Sequence, residues 1–360
     1  MAIRAEGIDV VLLSPLDPPQ GMATSQSSRF TPLSDALWRR LPSGAYGMMA
    51  YSQPGKAYSY LTASIHGDAD TKRMIDDAVA GFQRDTGLSV THDVLPAMMG
   101  NVVVAVYPDA DNPKKSADGL IVLDDTNSAD PTGLAERVRA LIERQTSRNG
   151  GTAWHFRLEK RHGAKIQTLD EASQQALRHS LGGNTQDILS TIGVSGGPAN
   201  SRGNSEALGR DTAQTQRDID VQSAVGNKTL TFAQIGHAVL IATSQHMLDR
   251  AIAAYSSGVD TLADDAGYTR MRHHVAEGTQ NVFFLAIPSI MEASRPTLTK
   301  ALASSHTGIS PDDILRLVGT PGVGLVATQQ YDGKTVKMTM FLPMGYDRVL
   351  HLVKAVQNIK

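Results

Sequence analysis

Thr86-Gly87-Leu88-Ser89, with Asp93-Val94-Leu95 close behind it, decides the fold because the phrase occurs twice: Thr307-Gly308-Ile309-Ser310 and Asp313-Ile314-Leu315 repeat it near the C-terminus. The surroundings repeat in the same order. The β-branched strand predicted over 102–107 has a counterpart at 323–328, the strand over 119–123 at 336–342, and the amphipathic helix over 134–142 at 346–356. Upstream, strand 46–51 corresponds to 282–287. An ordered series of this kind reads as duplication, with residues 46–145 and 281–357 as two copies of one β-α-β-β-α unit. Strands joined by hairpins and followed by helices give an α+β class, with antiparallel sheets and helices packed on one face.

Working outward, residues 58–65 read as a strand, and Asp68 or Asp70 caps a helix in which Met74, Ala78 and Phe82 recur at helical spacing. Gly87 ends that helix, and a short helical turn at Asp93-Val94-Leu95 is broken by Pro96. The opening segment 8–13 sets Ile8, Val10 and Leu12 against Asp9, Val11 and Leu13, ahead of the breaker run Ser14-Pro15-Leu16-Asp17-Pro18-Pro19. It reads as half of a hairpin and resembles segment 336–342. Between the copies, Trp154-His155-Phe156-Arg157-Leu158 forms a strand with Trp154, Phe156 and Leu158 on the core side, partnered by 165–169. Residues 232–243 form a hairpin turning at Gly236-His237, and Met247, Leu248, Ala251, Ile252 and Tyr255 mark the helix after it. The stretch 182–228 is polar and glycine-rich, with too few large apolar residues to offset the entropy of ordering. The organisation is therefore a hairpin remnant and connector over 1–40, a first lobe over 41–181, a flexible loop over 182–228 and a second lobe over 229–360.

Composition narrows the functional classes. The chain has 360 residues, 41% hydrophobic and 19% charged, with a net charge of −2 and no long basic run, so it carries no footprint for a phosphate backbone and nucleic acid is excluded as a partner. The charge-free apolar stretch 282–291 is half of the roughly 20 residues a membrane helix needs. No transmembrane segment is expected, and the N-terminus lacks the pattern of a secretory signal. With no cysteine, disulfides, thiolate metal sites and a cysteine nucleophile are excluded together.

Each chemical motif has a plainer reading. Gly193-Val194-Ser195-Gly196-Gly197 matches the serine-hydrolase elbow, but that elbow needs a strand before the serine and a helix after it. Here Pro198, Asn200, Gly203 and Asn204 follow, inside the polar loop. None of the 11 histidines makes an i,i+4 pair; His273 and His274 are adjacent and diverge on a helix, His155 lies opposite Trp154 and Phe156, and all are expected at the surface. The run from Asp124 to Asp130 lacks the glycine and the distal glutamate of a calcium loop, and Asp109-Ala110-Asp111-Asn112 is similar, so both read as turns. Gly319-Thr320-Pro321-Gly322-Val323-Gly324 leads into a strand, where a phosphate cradle requires a helix N-terminus. Asn227-Lys228-Thr229 is a formal glycosylation sequon. No catalytic, cofactor-binding or metal-binding residue is assigned, and no cofactor is expected.

Leu41-Pro42, Phe82 to Leu88 running into Asp93-Val94-Leu95-Pro96, Gly236 to Ser244 leading into the helix from Met247, and Tyr268 ahead of strand 282–287 together resemble an uncharacterised bacterial domain-of-unknown-function family of exported or membrane-anchored proteins. The resemblance spans about residues 41–357 and carries no catalytic residues. It implies a place outside the cytoplasm, periplasmic or anchored through a segment since removed; the sequence lacks the export segment of that family, which leaves a cytoplasmic place as the alternative. The reading that follows is a non-enzymatic binding or interaction module of the cell envelope with an envelope protein as partner. The alternative is a hydrolase whose site forms between the two lobes from residues scattered in sequence.

Overall fold

A computed structural model describes residues 2–3, 8–15, 31–64, 69–110, 117–124, 136, 138, 140, 156–161, 164–169, 231–296, 299, 324–331 and 335–342. The protein is α+β. Its strands are β1 (Ala2–Ile3), β2 (Ile8–Pro15), β3 (Gly47–Ser52), β4 (Asn101–Pro108), β5 (Ala117–Asp124), β6 (Phe156–Arg161), β7 (Ala164–Leu169), β8 (Thr231–Ile235), β9 (Ala238–Ala242), β10 (Asn281–Leu285), β11 (Leu325–Tyr331) and β12 (Thr335–Leu342). The helices are α1 (Asp35–Trp38), α2 (Pro54–Ser64), α3 (Ala69–Thr86), α4 (Leu95–Ala97) after a π-helical turn (Val90–Val94), α5 (Gln245–Ser257), α6 (Ala266–Arg272) and α7 (Ile287–Ala293).

Ten strands form one antiparallel sheet in the order β1-β2-β12-β11-β10-β3-β4-β5-β9-β8, and β6 and β7 pair separately. The order is the same read from either side of its centre. There β3 and β10 pair around Met49↔Phe283. Next come β4 and β11, then β5 and β12, then β9 and β2, then β8 and β1. Registers match as well: Val239 faces Leu123 and pairs on its other side with Gln234, while Ile8 faces Leu342 and pairs on its other side with Ile3. Each half of the sheet is completed by a hairpin from the other half of the chain. The segments read from sequence as 41–181 and 229–360 thus contribute strands to one sheet, and a ladder of hydrogen bonds runs along the β3–β10 seam.

The alternation of side chains explains what holds the sheet. One file of facing residues, Thr231, Ala242, Leu120, Ala105, Met48, Phe284, Val326, Phe341 and Asp9, crosses nine strands and is buried throughout. Helices α1, α5 and α6 cover it with Leu37, Trp38, Met247, Leu248, Ala251, Ile252, Tyr268 and Met271. Each large side chain buried here contributes about 1.5–3 kcal/mol. The opposite face is also covered around β4, β5, β8 and β9, where Val102, Val104, Leu123, Phe232 and Val239 pack with Ala97 of α4 and with Val138. Cover is therefore found on both faces of this half.

Most expected strands and turns are found within a residue or two, including the hairpin at Gly236 (φ 56°) and helix α5, which Ser244 caps at one end and Gly258 (φ 64°) closes at the other. The strand expected at 58–65 is helix α2. Gln53, at φ 50°, turns the chain out of β3, Pro54 supplies a helix-compatible φ at a position needing no N–H donor, and Ser59 and Thr62 hydroxyls bond to carbonyls of the preceding turn. Gly55 fixes the packing, since a Cβ there would lie 2.7 Å from the Leu95 carbonyl oxygen. Helix α3 ends at Gly87 (φ 71°) as expected, but its inward stripe is Thr71, Ile75, Val79 and Phe82, while Met74 and Ala78 face solvent. Trp154, His155, the loop 182–228 and the helix 346–356 lie outside the described residues, as does most of the helix 134–142.

Candidate functional site: the open edge of the sheet

Ser195 and its glycines, Asn227 and Asp125 to Asp130 lie outside the described residues. Asp124, at the end of β5, is buried, with Arg40 Nη1 at 3.5 Å from its carboxylate. The same nitrogen donates to Tyr255 Oη at 3.1 Å, and the guanidinium lies over the Tyr255 ring. Burial, reinforced by the Asp124 carboxylate, pushes the Tyr255 phenol well above its usual range. This group joins the end of α1 to β5 and α5. Gly324, the one described residue of the glycine-rich run, is buried where a Cβ would fall 2.2 Å from the Leu285 carbonyl oxygen. Its role is close approach of backbone at the head of β11.

Two further clusters bind loops together. Arg250 of α5 donates to the Ser43 carbonyl at 3.2 Å and to Asp260 Oδ2 at 3.1 Å, and the Ser43 hydroxyl donates to Asp260 Oδ1. The hydrogen bond from Ser43, with help from Arg250, holds the Asp260 carboxyl below its usual range. In the π-helical turn, His92 Nδ1 lies 3.1 Å from Ser89 Oγ and 3.0 Å from Thr91 Oγ1. Ser89 Oγ also accepts the His92 N–H and so caps the turn, a sufficient structural reason for the arrangement. Among the described residues, no three His, Asp or Glu side chains come together in a way that would hold a metal ion. Along the seam, Met48 and Phe284 fill one face and Met49 and Phe283 line the other.

Histidine placement corrects one expectation. His273 is exposed, but His274 is largely buried, stacked on Phe341 with ring centroids 3.5 Å apart and with Nδ1 3.6 Å from Asp9 Oδ1. The cause is local: the chain turns after α6, with the His274 N–H donating to the Met271 carbonyl, and this lays the ring on β12. Asp9, Phe341 and His274 thereby fasten the start of β2 to the body of the protein.

Beyond that fastening, β2 changes character. Its outer side meets β1 only at Ile8 and Asp9, and among the described residues no strand pairs with the outer side of residues 10–15. On this length Val11, Leu12 and Leu13 are 42%, 59% and 67% exposed, and Met338, directly opposite Leu12 on β12, is 46% exposed. Val11 and Leu13 lie on the Asp9 face; Leu12 and Met338 lie on the other. Four of the seven large apolar side chains that stand exposed among the described residues thus gather at one corner, where backbone donors and acceptors also face outward. Natural edge strands usually carry a charge, a proline or a bulge here. This one is uncharged from Val10 to Ser14 and reaches a proline only at Pro15. The signal was present in the sequence, because Val10-Val11-Leu12-Leu13 has no polar phase at all.

No helix among the described residues is long and apolar enough to cross a membrane, which says nothing of β-barrels. Comparison with protein-family models, with curated proteins and with solved structures finds no match to this chain.

Proposed function

We propose that the protein is a non-enzymatic interaction module of the bacterial cell envelope, acting outside the cytoplasm, and that it takes an extended protein segment onto the open edge of β2. The observation that carries this reading is the gathering of Val11, Leu12, Leu13 and Met338 on a strand edge that no other strand pairs with among the described residues. Strand addition would satisfy the outward backbone groups and cover apolar side chains on both faces at once. The symmetric strand order supports a further part of the proposal, that the sheet arose from two copies of one unit, each unit being longer than 46–145 by the hairpin it lends to the other.

The test places a photo-crosslinking residue at Lys337, which is exposed beside Leu13, and irradiates the protein in the envelope fraction. The expected result is a discrete adduct whose mapped site lies in an extended segment, lost in the Leu12→Lys, Leu13→Lys double variant. Adducts unchanged by that double substitution, or none, would overturn the proposal.

A further inference from the structure

We infer that the segment docked on β2 is β2 of a second copy of this chain, paired antiparallel about a two-fold axis at Leu12. The inference rests on the reading of β2 as the interaction edge and names the partner for it.

The available length sets the register. Asp9 already pairs outward with Ala2, and Pro15 has no N–H to donate. Residues 10–14 remain without an outer partner among the described residues, and their centre is Leu12. A two-fold axis there sets Leu12 against Leu12 of the second copy, Val11 against its Leu13 and Val10 against its Ser14. Strand pairing about a two-fold is self-complementary: whatever one edge offers, the other offers in return. Val11 and Leu13 share one face, so they cover each other across the junction. The two copies of Leu12 meet on the other face, with Met338 of each copy behind them.

Charge and side-chain pattern favour this occupant over a foreign strand. Residues 10–15 carry no charge, and the chain's net charge of −2 gives two copies little to repel. A strand apolar on both faces is best covered by another of the same kind, whereas a strand from a soluble surface alternates and would set polar side chains against Leu12 or Leu13. The sheet already uses this geometry internally, since β3 and β10 occupy corresponding places and pair antiparallel around Met49↔Phe283. Five residues a side is below the interface of about 1,000 Å² that marks a stable complex, so the dimer is weak and concentration-dependent, in the micromolar range.

The absence of native cysteine makes the register directly testable on the full chain. Residues directly opposite on antiparallel strands have Cβ atoms about 4.5–5.5 Å apart, near disulfide reach. Under mild oxidation Leu12→Cys should give a covalent dimer several-fold faster than Ser14→Cys, whose self-pair the register separates. Sedimentation velocity should show the unmodified chain passing from monomer to dimer between roughly 1 and 200 µM. Leu12→Lys should stay monomeric, while Met74→Lys, a change to an exposed methionine on α3, should dimerise as the parent does. A monomer at every concentration, or equal crosslinking at positions 12 and 14, overturns the inference. A monomeric chain that still gives the Leu12-dependent adduct in the envelope sinks the second copy alone; loss of both sinks the edge reading as well.

Discussion

Tyr268 on α6 is 1% exposed, and its hydroxyl has no hydrogen-bond partner among the described residues. Its ring lies edge-on to Phe284 at 5.9 Å and tilted against Trp38 at 5.7 Å, in the main core. A buried hydroxyl without a partner costs about 1–3 kcal/mol, and deleting it forfeits only a few dispersion contacts of about 0.1–0.2 kcal/mol each. Tyr268→Phe should therefore stabilise the protein by about 1 kcal/mol, against the usual direction for a core substitution. Tyr107 provides the opposite case. It is equally buried, but its hydroxyl donates to the Pro42 carbonyl at 3.2 Å, so Tyr107→Phe removes a made bond and should destabilise by about 1 kcal/mol. The two variants differ by about 2 kcal/mol, roughly thirty-fold in the unfolding equilibrium. Urea denaturation followed by tryptophan fluorescence reads this directly, provided the m-value is unchanged, and Trp38 reports from within the same core. Destabilisation of 1 kcal/mol or more in Tyr268→Phe, or both variants shifting the same way, would refute the assignment of the orphan hydroxyl.

Thr328 on β11 is buried with no partner for its hydroxyl among the described residues, so Thr328→Val, which keeps the β-branch, should raise the urea midpoint by the equivalent of about 1 kcal/mol. Gly324→Ala would force a Cβ to 2.2 Å from a backbone oxygen and should cost about 3 kcal/mol or more, whereas Gly81→Ala, in mid-helix with nothing among the described residues nearer than 3.8 Å, should gain about 0.5–1 kcal/mol; thermal melts of the pair should move in opposite directions. The phenols of Tyr107, Tyr255 and Tyr268 are all pushed up, chiefly by burial. The unfolded chain then loses these protons first, so stability should hold below about pH 10 and fall as pH rises beyond it, and a urea-midpoint profile from pH 8 to 11 should flatten with each Tyr→Phe change.

How much of this was legible in the sequence depends on the range of the interaction. Strands β4, β5 and β9 and helix α5 announce themselves through local periodicity, which near neighbours alone enforce. Helix α2 did not, because Tyr58, Tyr60 and Thr62 mimic an alternating strand; the deciding facts are the turn at Gln53 and the contact of Gly55 with the Leu95 and Met98 carbonyls, some forty residues away. His274 was misplaced for the same reason: its stacking on Phe341 and its approach to Asp9 depend on which strands meet, and no spacing within the chain encodes that. Repetition of phrases was visible, but the exchange of hairpins between the halves was not, since it depends on β2 pairing with β12 and β9 with β5. The candidate site was half visible. The run Val10-Val11-Leu12-Leu13 is plain in the sequence, yet only the sheet order shows that it forms an edge.

The correspondence between the two halves of the sheet also separates what the fold needs from what it does not. On one side β9 ends at Ala242; the Thr243 N–H donates to the Gly119 carbonyl, the Gly119 N–H donates to the Thr243 hydroxyl, and Ser244 starts α5. At the corresponding place on the other side β2 continues, pairing Leu12 with Met338 and Leu13 with Lys337 as far as Pro15. One half thus closes without this added length, and the added length is where Leu12, Leu13 and the facing Met338 stand exposed. Burial within the chain does not account for them, because more than half of Leu12 and Leu13 remains in water. Polar β-formers such as threonine would keep the ladder to β12 at little cost. Stability and association should therefore separate at this edge, with Leu12→Thr, Leu13→Thr melting within about 1 kcal/mol of the parent chain while its adducts and its dimer disappear.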